Sequence, residues 1–109
     1  MKSFTSLEQS KKLAEFLPLE SADMRYLPSI SEVPFIWSVK QMQESEAIPA
    51  WSLSALLDVL KYPSLTQDVE NKWSITDWTG AYPKSEHGFD SPVDACYEMI
   101  IKLHELNLL

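Results

Sequence analysis

Seven prolines divide this 109-residue chain into short segments, at positions 18, 28, 34, 49, 63, 83 and 92. Proline lacks a backbone N–H and has a fixed φ, so it ends helices and is excluded from the interior of sheets. We therefore expect each helix or strand to lie between two successive prolines. Glycine occurs only at positions 80 and 88. The spacing predicts one compact domain over residues 1–109, built from short elements.

Three segments between these prolines have the sequence signals of helices. Thr5–Leu17 is amphipathic, with Thr5 as the expected N-cap and Glu8 as its capping-box partner. Ser52–Lys61 carries leucines at the i, i+3, i+4 and i+7 positions, which is the helical period. Ser91–Leu106 begins with a capping serine followed by a proline, and its charged and apolar residues fall on opposite faces.

Four other segments are typical of strands. Ala22–Leu27 and Phe35–Met42 alternate between apolar and polar residues and form one predicted pair. Lys72–Trp78 and a return segment, Ala81–Phe89, form a second pair, with Pro83 placing the return segment at a sheet edge. Strand pairs adjacent in sequence favour antiparallel pairing. We therefore expect an α+β fold of order αββαββα, a small antiparallel sheet of two strand pairs covered by three helices.

The charge balance limits the partners. Nine basic and sixteen acidic residues give a net charge of −7, and the second half of the chain is the more acidic one. Phosphates repel such a surface, so we expect no direct binding to a nucleic-acid backbone. The single cysteine, Cys96, favours a reducing compartment. Without an apolar run of signal-peptide or membrane-spanning length, the sequence predicts a cytoplasmic protein with no membrane partner.

Motifs that carry catalysis are missing from the sequence. Two isolated glycines cannot build a phosphate-binding loop, and no HExxH, CxxC or nucleophile-elbow pattern occurs. Cys96 and His104 lie eight residues apart, about 12 Å along a helix, which is too far for a nucleophile–base contact. The sequence therefore predicts no cofactor, no metal and no catalytic residue, and it leaves open whether His104 is a core or a functional side chain.

Four polar residues before and at the start of the third helix could still bind a cation: Glu86, His87, Asp90 and Asp94. A solvated loop followed by a capped helix explains them more simply. The alternative hypothesis is a small metal-dependent or acid–base enzyme that uses His87, Asp90 and His104. That hypothesis requires the two histidines to converge in one pocket, because ligands of one ion nearly touch it.

Aromatic side chains on the second strand pair are the best binding candidates. Alternation places Trp78 on the face opposite Trp73 and Ile75, so one of these two sets must be exposed or covered by a partner. Tyr82 follows the intervening turn. The predicted partner-binding residues are Trp73, Trp78, Tyr82, Leu108 and Leu109.

The leucines at the C-terminus either fold back onto the core or dock onto another chain. The favoured function is a small non-enzymatic accessory or binding protein that acts through protein–protein contacts. A second copy of the chain is one candidate partner. An acidic mimic of nucleic acid is a further alternative, although −7 is a modest charge for that role and lysines interrupt the acidic residues.

Two stretches carry a resemblance to known sequences: IPAWSLSALL at residues 48–57 and PVDACYEMIIKLHELNLL at residues 92–109, together with Ala22-Asp23-Met24. They resemble short uncharacterised bacterial proteins, often encoded by prophages or mobile elements. The resemblance covers about a third of the chain and is most specific in its last eighteen residues. It brings no activity and no catalytic residues, and it implies an accessory protein of a phage-like element.

Overall fold

The computed structural model describes residues 2–27, 33–36, 47–79 and 82–109. Three α-helices and six strands occur in this part of the chain, so the predicted α+β class is confirmed. The predicted strand over Phe35–Met42 lies outside the described residues beyond Ile36. In chain order the elements are α1 (Leu7–Ala14), a 3-10 turn (Leu19–Ser21), β1 (Met24–Tyr26), β2 (Phe35–Ile36), β3 (Ile48–Ala50), α2 (Leu53–Val59), β4 (Pro63–Gln67), β5 (Trp73–Asp77), β6 (Lys84–Phe89) and α3 (Pro92–Glu105).

The strands form two antiparallel sheets rather than one, with the orders β2-β1-β3 and β4-β5-β6. Each expected pair has gained a third strand, β3 in the first sheet and β4 in the second. Both additions contain a proline, Pro49 in β3 and Pro63 at the start of β4. Proline is tolerated there because both are edge strands, where not every backbone N–H is needed for pairing. With three residues, β3 shows too little alternation to be found from the sequence.

The start of α1 differs from the prediction by one residue. Ser6, not Thr5, is the N-cap, and its hydroxyl accepts from the Gln9 backbone N–H at 3.1 Å while the Gln9 side chain accepts from the Ser6 N–H at 3.0 Å. Thr5 is fully buried, and its hydroxyl accepts from the Trp51 backbone N–H at 3.1 Å. A tertiary contact thus uses the hydroxyl that the sequence assigned to the cap.

The hydrophobic core joins all three helices to the second sheet. α1 lies against β3, α2 lies against α3, and α3 covers β5 and β6. Trp51 is completely buried between these layers, and its indole N–H donates to the Ser21 hydroxyl at 3.0 Å. The fully buried apolar side chains are Leu13, Ala50, Trp51, Leu56, Ile75, Val93, Ala95, Cys96, Met99 and Ile100.

Candidate functional site

The two faces of the second sheet differ in burial. On β5, Ile75 and Asp77 are fully buried beneath α3, and Trp73 is half-buried against the core. Trp78, the residue after β5, is 58% exposed. Trp78 therefore lies on the outer face, opposite Trp73 and Ile75, as alternation requires. Trp73 contributes to packing, across from Phe89 of β6.

Three exposed aromatic side chains lie at one end of this sheet, and we call Tyr62, Trp78 and Tyr82 the aromatic surface. Their exposed fractions are 63%, 58% and 77%. The Trp78 backbone N–H donates to the Tyr62 carbonyl at 3.2 Å, so the β4–β5 pairing continues one residue beyond Pro63. At the start of β6 the Lys84 ammonium donates to the Tyr82 carbonyl at 2.7 Å. Three solvent-exposed aromatic side chains at one end of a sheet are typical of a binding surface.

Tyr62 was missed in the sequence because β4 was not predicted. In the structure β4 alternates, with Pro63 and Leu65 less exposed than Ser64 and Thr66. Extending that alternation backward by one residue places Tyr62 on the exposed face.

The way α3 ends determines the direction of the C-terminal tail, which carries Leu108 and Leu109. Asn107 adopts the left-handed conformation, with φ of 58°. Its N–H donates to the His104 carbonyl at 3.0 Å, and the Leu108 N–H donates to the Leu103 carbonyl at 2.9 Å. These two bonds form a Schellman motif, which satisfies the last helical carbonyls and reverses the chain. The tail therefore turns back toward the body of the protein.

The tail ends at a small cavity beside Lys61 and Thr79. Leu108 and Leu109 line a cavity of about 150 Å³ together with Lys61 and Thr79, the chain neighbours of Tyr62 and Trp78. Both leucines keep about two-fifths of their surface exposed, at 36% and 43%. Four of the five predicted partner-binding residues thus lie at one end of the molecule, and Trp73 lies on the covered side of the sheet.

The predicted cation cluster is divided among separate ion pairs. Glu86 accepts from the Lys102 ammonium at 2.8 Å, and Asp90 is paired with Lys72. Asp94 accepts from Lys2 at 2.8 Å and from the Gln9 amide at 2.9 Å, which ties α3 to α1. Each carboxylate therefore already has its own cationic partner.

The two histidines of the enzyme hypothesis have different surroundings. His87 is exposed on β6, whereas the His104 ring stacks on Phe16 with centroids 3.8 Å apart and planes 7° from parallel. Within residues 2–27, 33–36, 47–79 and 82–109, no group of three or more His, Cys, Asp or Glu side chains is arranged to hold a metal ion. The geometry of the described residues does not assemble His87, Asp90 and His104 into one such group.

Cys96 is also unsuited to act as a nucleophile. Its side chain is fully buried in the core, and burial raises the pKa of its thiol to about 12. The reactive thiolate is therefore scarce at neutral pH. The structure gives Cys96 a packing role.

Comparisons of this chain with protein-family models, with curated proteins and with solved structures found no match. No helix in the described part of the chain is both long and apolar enough to cross a membrane.

Proposed function

We propose that this protein is a small non-enzymatic accessory or binding protein that acts through protein–protein contacts at the aromatic surface. The observation that carries this proposal is the exposure of Tyr62, Trp78 and Tyr82 at one end of a single sheet. Tyrosine and tryptophan are enriched among the residues that dominate binding energy. They combine a large apolar area with a polar group that tolerates water in the unbound state.

The C-terminal leucines are a second apolar area in this proposal. Leu108 and Leu109 line a cavity with Lys61 and Thr79, whose positions alternate to the face opposite Tyr62 and Trp78. Each apolar area that a partner covers contributes about 25 cal/mol per Å².

The setting we propose is the cytoplasm, in an accessory role for a phage-like or mobile element. A buried, unpaired cysteine suits a reducing compartment. The accessory role extends the expectation from the sequence that residues 48–57 and 92–109 resemble proteins of mobile elements.

The two alternative functions have less support. A metal-dependent or acid–base enzyme would need an assembled group of ligands, and the three carboxylates of the predicted cation cluster are each paired with a different lysine. An acidic nucleic-acid mimic would need free carboxylates spaced like phosphates along one surface. These same ion pairs join three of the carboxylates near α3 to lysines.

The test compares capture of host proteins by the intact chain and by two matched variants. Trp78→Ala removes a ring from the aromatic surface, and Val69→Ala removes a fully exposed apolar side chain from the β4–β5 turn. We expect Trp78→Ala to lose the captured partner and Val69→Ala to keep it.

Light scattering after size exclusion distinguishes a foreign partner from a second copy of the chain. Self-association that Trp78→Ala abolishes also places the contact at the aromatic surface. Identical capture and identical mass for the intact chain and both variants would contradict the proposal.

A further inference from the structure

A cavity of about 400 Å³ lies between the 3-10 turn and α2, and its lining has no residue in common with the aromatic surface. Leu17 and Ala55 are the buried members of this lining, Val59 is partly buried, and Leu109 is more exposed. Pockets for small molecules measure about 300–1,000 Å³ and are lined mainly by apolar side chains. The size and the apolar part of the lining therefore suit a small organic molecule.

Two carboxylates complete the exposed part of this lining. Glu20 of the 3-10 turn and Asp58 of α2 are both exposed to solvent. In the part of the chain that the structure describes, neither carboxylate has an ion pair or a hydrogen bond. The carboxylates of Glu86, Asp90 and Asp94, by contrast, are each paired with a lysine. The cavity therefore carries negative charge that remains available to a ligand.

Basic side chains do not compensate this charge. None of the eight described residues that line the cavity is Lys, Arg or His. Among the basic residues nearest to the lining along the chain, Lys12 and Lys102 are held in ion pairs with glutamates, and Arg25 is fully buried in β1. Lys61 lines the neighbouring cavity of about 150 Å³ instead. A cation is thus the ligand charge that complements this lining.

The end of α2 adds to the attraction for a cation. Asp58 lies in the last turn of α2, and that turn contains no basic residue. The C-terminal end of a helix carries a partial negative charge, which favours a positive charge near its last turn. A cation beside Asp58 meets both the carboxylate and this helix end.

The side chains present also select the kind of cation. None of these eight lining residues is aromatic, so they offer no cation–π contact of the kind that quaternary ammonium groups use. A primary ammonium group has three N–H donors, and ionised carboxylates are acceptors for such donors. An apolar body attached to that group would cover the apolar part of the lining.

We propose that this cavity binds a small primary amine in its protonated form. The apolar body of the amine packs on Leu17, Ala55 and Val59, and its ammonium group donates to Glu20 and Asp58. This is a small-molecule function in addition to the protein-binding function proposed above, because the two sites have no residue of the aromatic surface in common.

The experiment titrates the full chain with 2-phenylethylammonium and, separately, with 2-phenylethanol, which has nearly the same shape but no charge. Nuclear magnetic resonance reports on the site, because the Trp51 indole N–H donates at 3.0 Å to the hydroxyl of Ser21, which lines the cavity. We expect the amine to shift the assigned Trp51 indole signal with a dissociation constant on the order of 1 mM. The alcohol should bind about fivefold more weakly or not at all.

Three variants test the assigned charges. Glu20→Gln and Asp58→Asn each remove one negative charge with little change of shape, and each should weaken amine binding about two- to fivefold without affecting the alcohol. Glu70→Gln is the matched control, because it removes the same charge from the β4–β5 turn, outside the lining. It should leave the affinity unchanged. Far-UV circular dichroism verifies that each variant is folded.

The inference is overturned if the amine leaves the Trp51 signal unchanged at tenfold the expected dissociation constant, or if the alcohol binds equally well. It is also overturned if Glu70→Gln weakens binding as much as Asp58→Asn does. Tighter binding of a blocked tripeptide with a central lysine would replace the small molecule by a protein side chain and contradict the proposal. Trp78→Ala should leave amine binding unchanged, so this inference and the protein-binding function can fail separately.

Discussion

Replacing Ile75 with alanine tests which face of the second sheet is covered, and the proposed site depends on that assignment. Ile75 is fully buried in the central strand, between Leu65 and Glu86, and belongs to the core beneath α3. The change removes three carbon atoms, worth about 2.4 kcal/mol at 0.8 kcal/mol each. A residual cavity of roughly 40 Å³ adds about 1 kcal/mol at 24 cal/mol per Å³. We expect the free energy of unfolding to fall by about 3.5 kcal/mol.

Thr76→Ala is the matched control, one residue away on the opposite face. It removes the hydroxyl that bonds to Ser85 on the exposed side of the sheet, so we expect a loss of about 0.5–1 kcal/mol. Urea denaturation followed by circular dichroism gives both values, provided that the m-values agree. The melting temperature of Ile75→Ala should fall by roughly 15 °C.

The result that would refute the reasoning is a loss below about 1 kcal/mol for Ile75→Ala, or a larger loss for Thr76→Ala than for Ile75→Ala. Either outcome would mean that α3 does not cover the face of β5 that carries Ile75. The exposed and covered faces would then be exchanged, and Trp78 would not belong to an open surface.

Two other predictions concern titratable side chains. Burial alone would raise the pKa of the Asp94 carboxyl. Hydrogen bonds from Lys2, Gln9 and Ser91 lower it by more than burial raises it, so the pKa lies below its ordinary value. The lowered pKa contributes stability above the unfolded-state value that is lost as pH falls through the folded-state value. The Asp94 side chain is 31% exposed, and Asp94→Asn should lower the free energy of unfolding by about 1 kcal/mol at pH 7 and by less near pH 3. Equal losses of this free energy at both pH values, measured by urea denaturation, would contradict the electrostatic cause. With burial raising its pKa to about 12, Cys96 should resist a disulfide-forming thiol reagent at pH 8 until urea unfolds the chain; immediate reaction of the native protein, followed by absorbance, would show that the thiol is accessible.

Local chemistry was sufficient to predict the helices. A capping serine followed by proline defined the start of α3 within one residue, and the leucine period located α2. These signals lie within a few residues of each other, so they act before any tertiary contact forms. The same signals predict Thr5 as the N-cap of α1. Ser6 is the N-cap instead, because the Thr5 hydroxyl accepts a hydrogen bond from the Trp51 backbone N–H.

The edge strands and Tyr62 could not be predicted in this way. β3 contains three residues and β4 begins with proline, so neither has a clear pattern of its own. Both exist because a neighbouring strand supplies the hydrogen bonds. Such pairing partners are distant in sequence, and no local propensity specifies them.

Sequence by itself determined that Trp73 and Trp78 point to opposite faces, because successive side chains of a strand alternate. Only the tertiary structure decided which face is open, since that depends on where α3 packs. Its apolar side covers Ile75 and leaves Trp78 in water. The position of the tail was undecided for the same reason. Its leucines are apolar in any fold, but only the reversal at Asn107 brings them to the cavity beside Lys61 and Thr79.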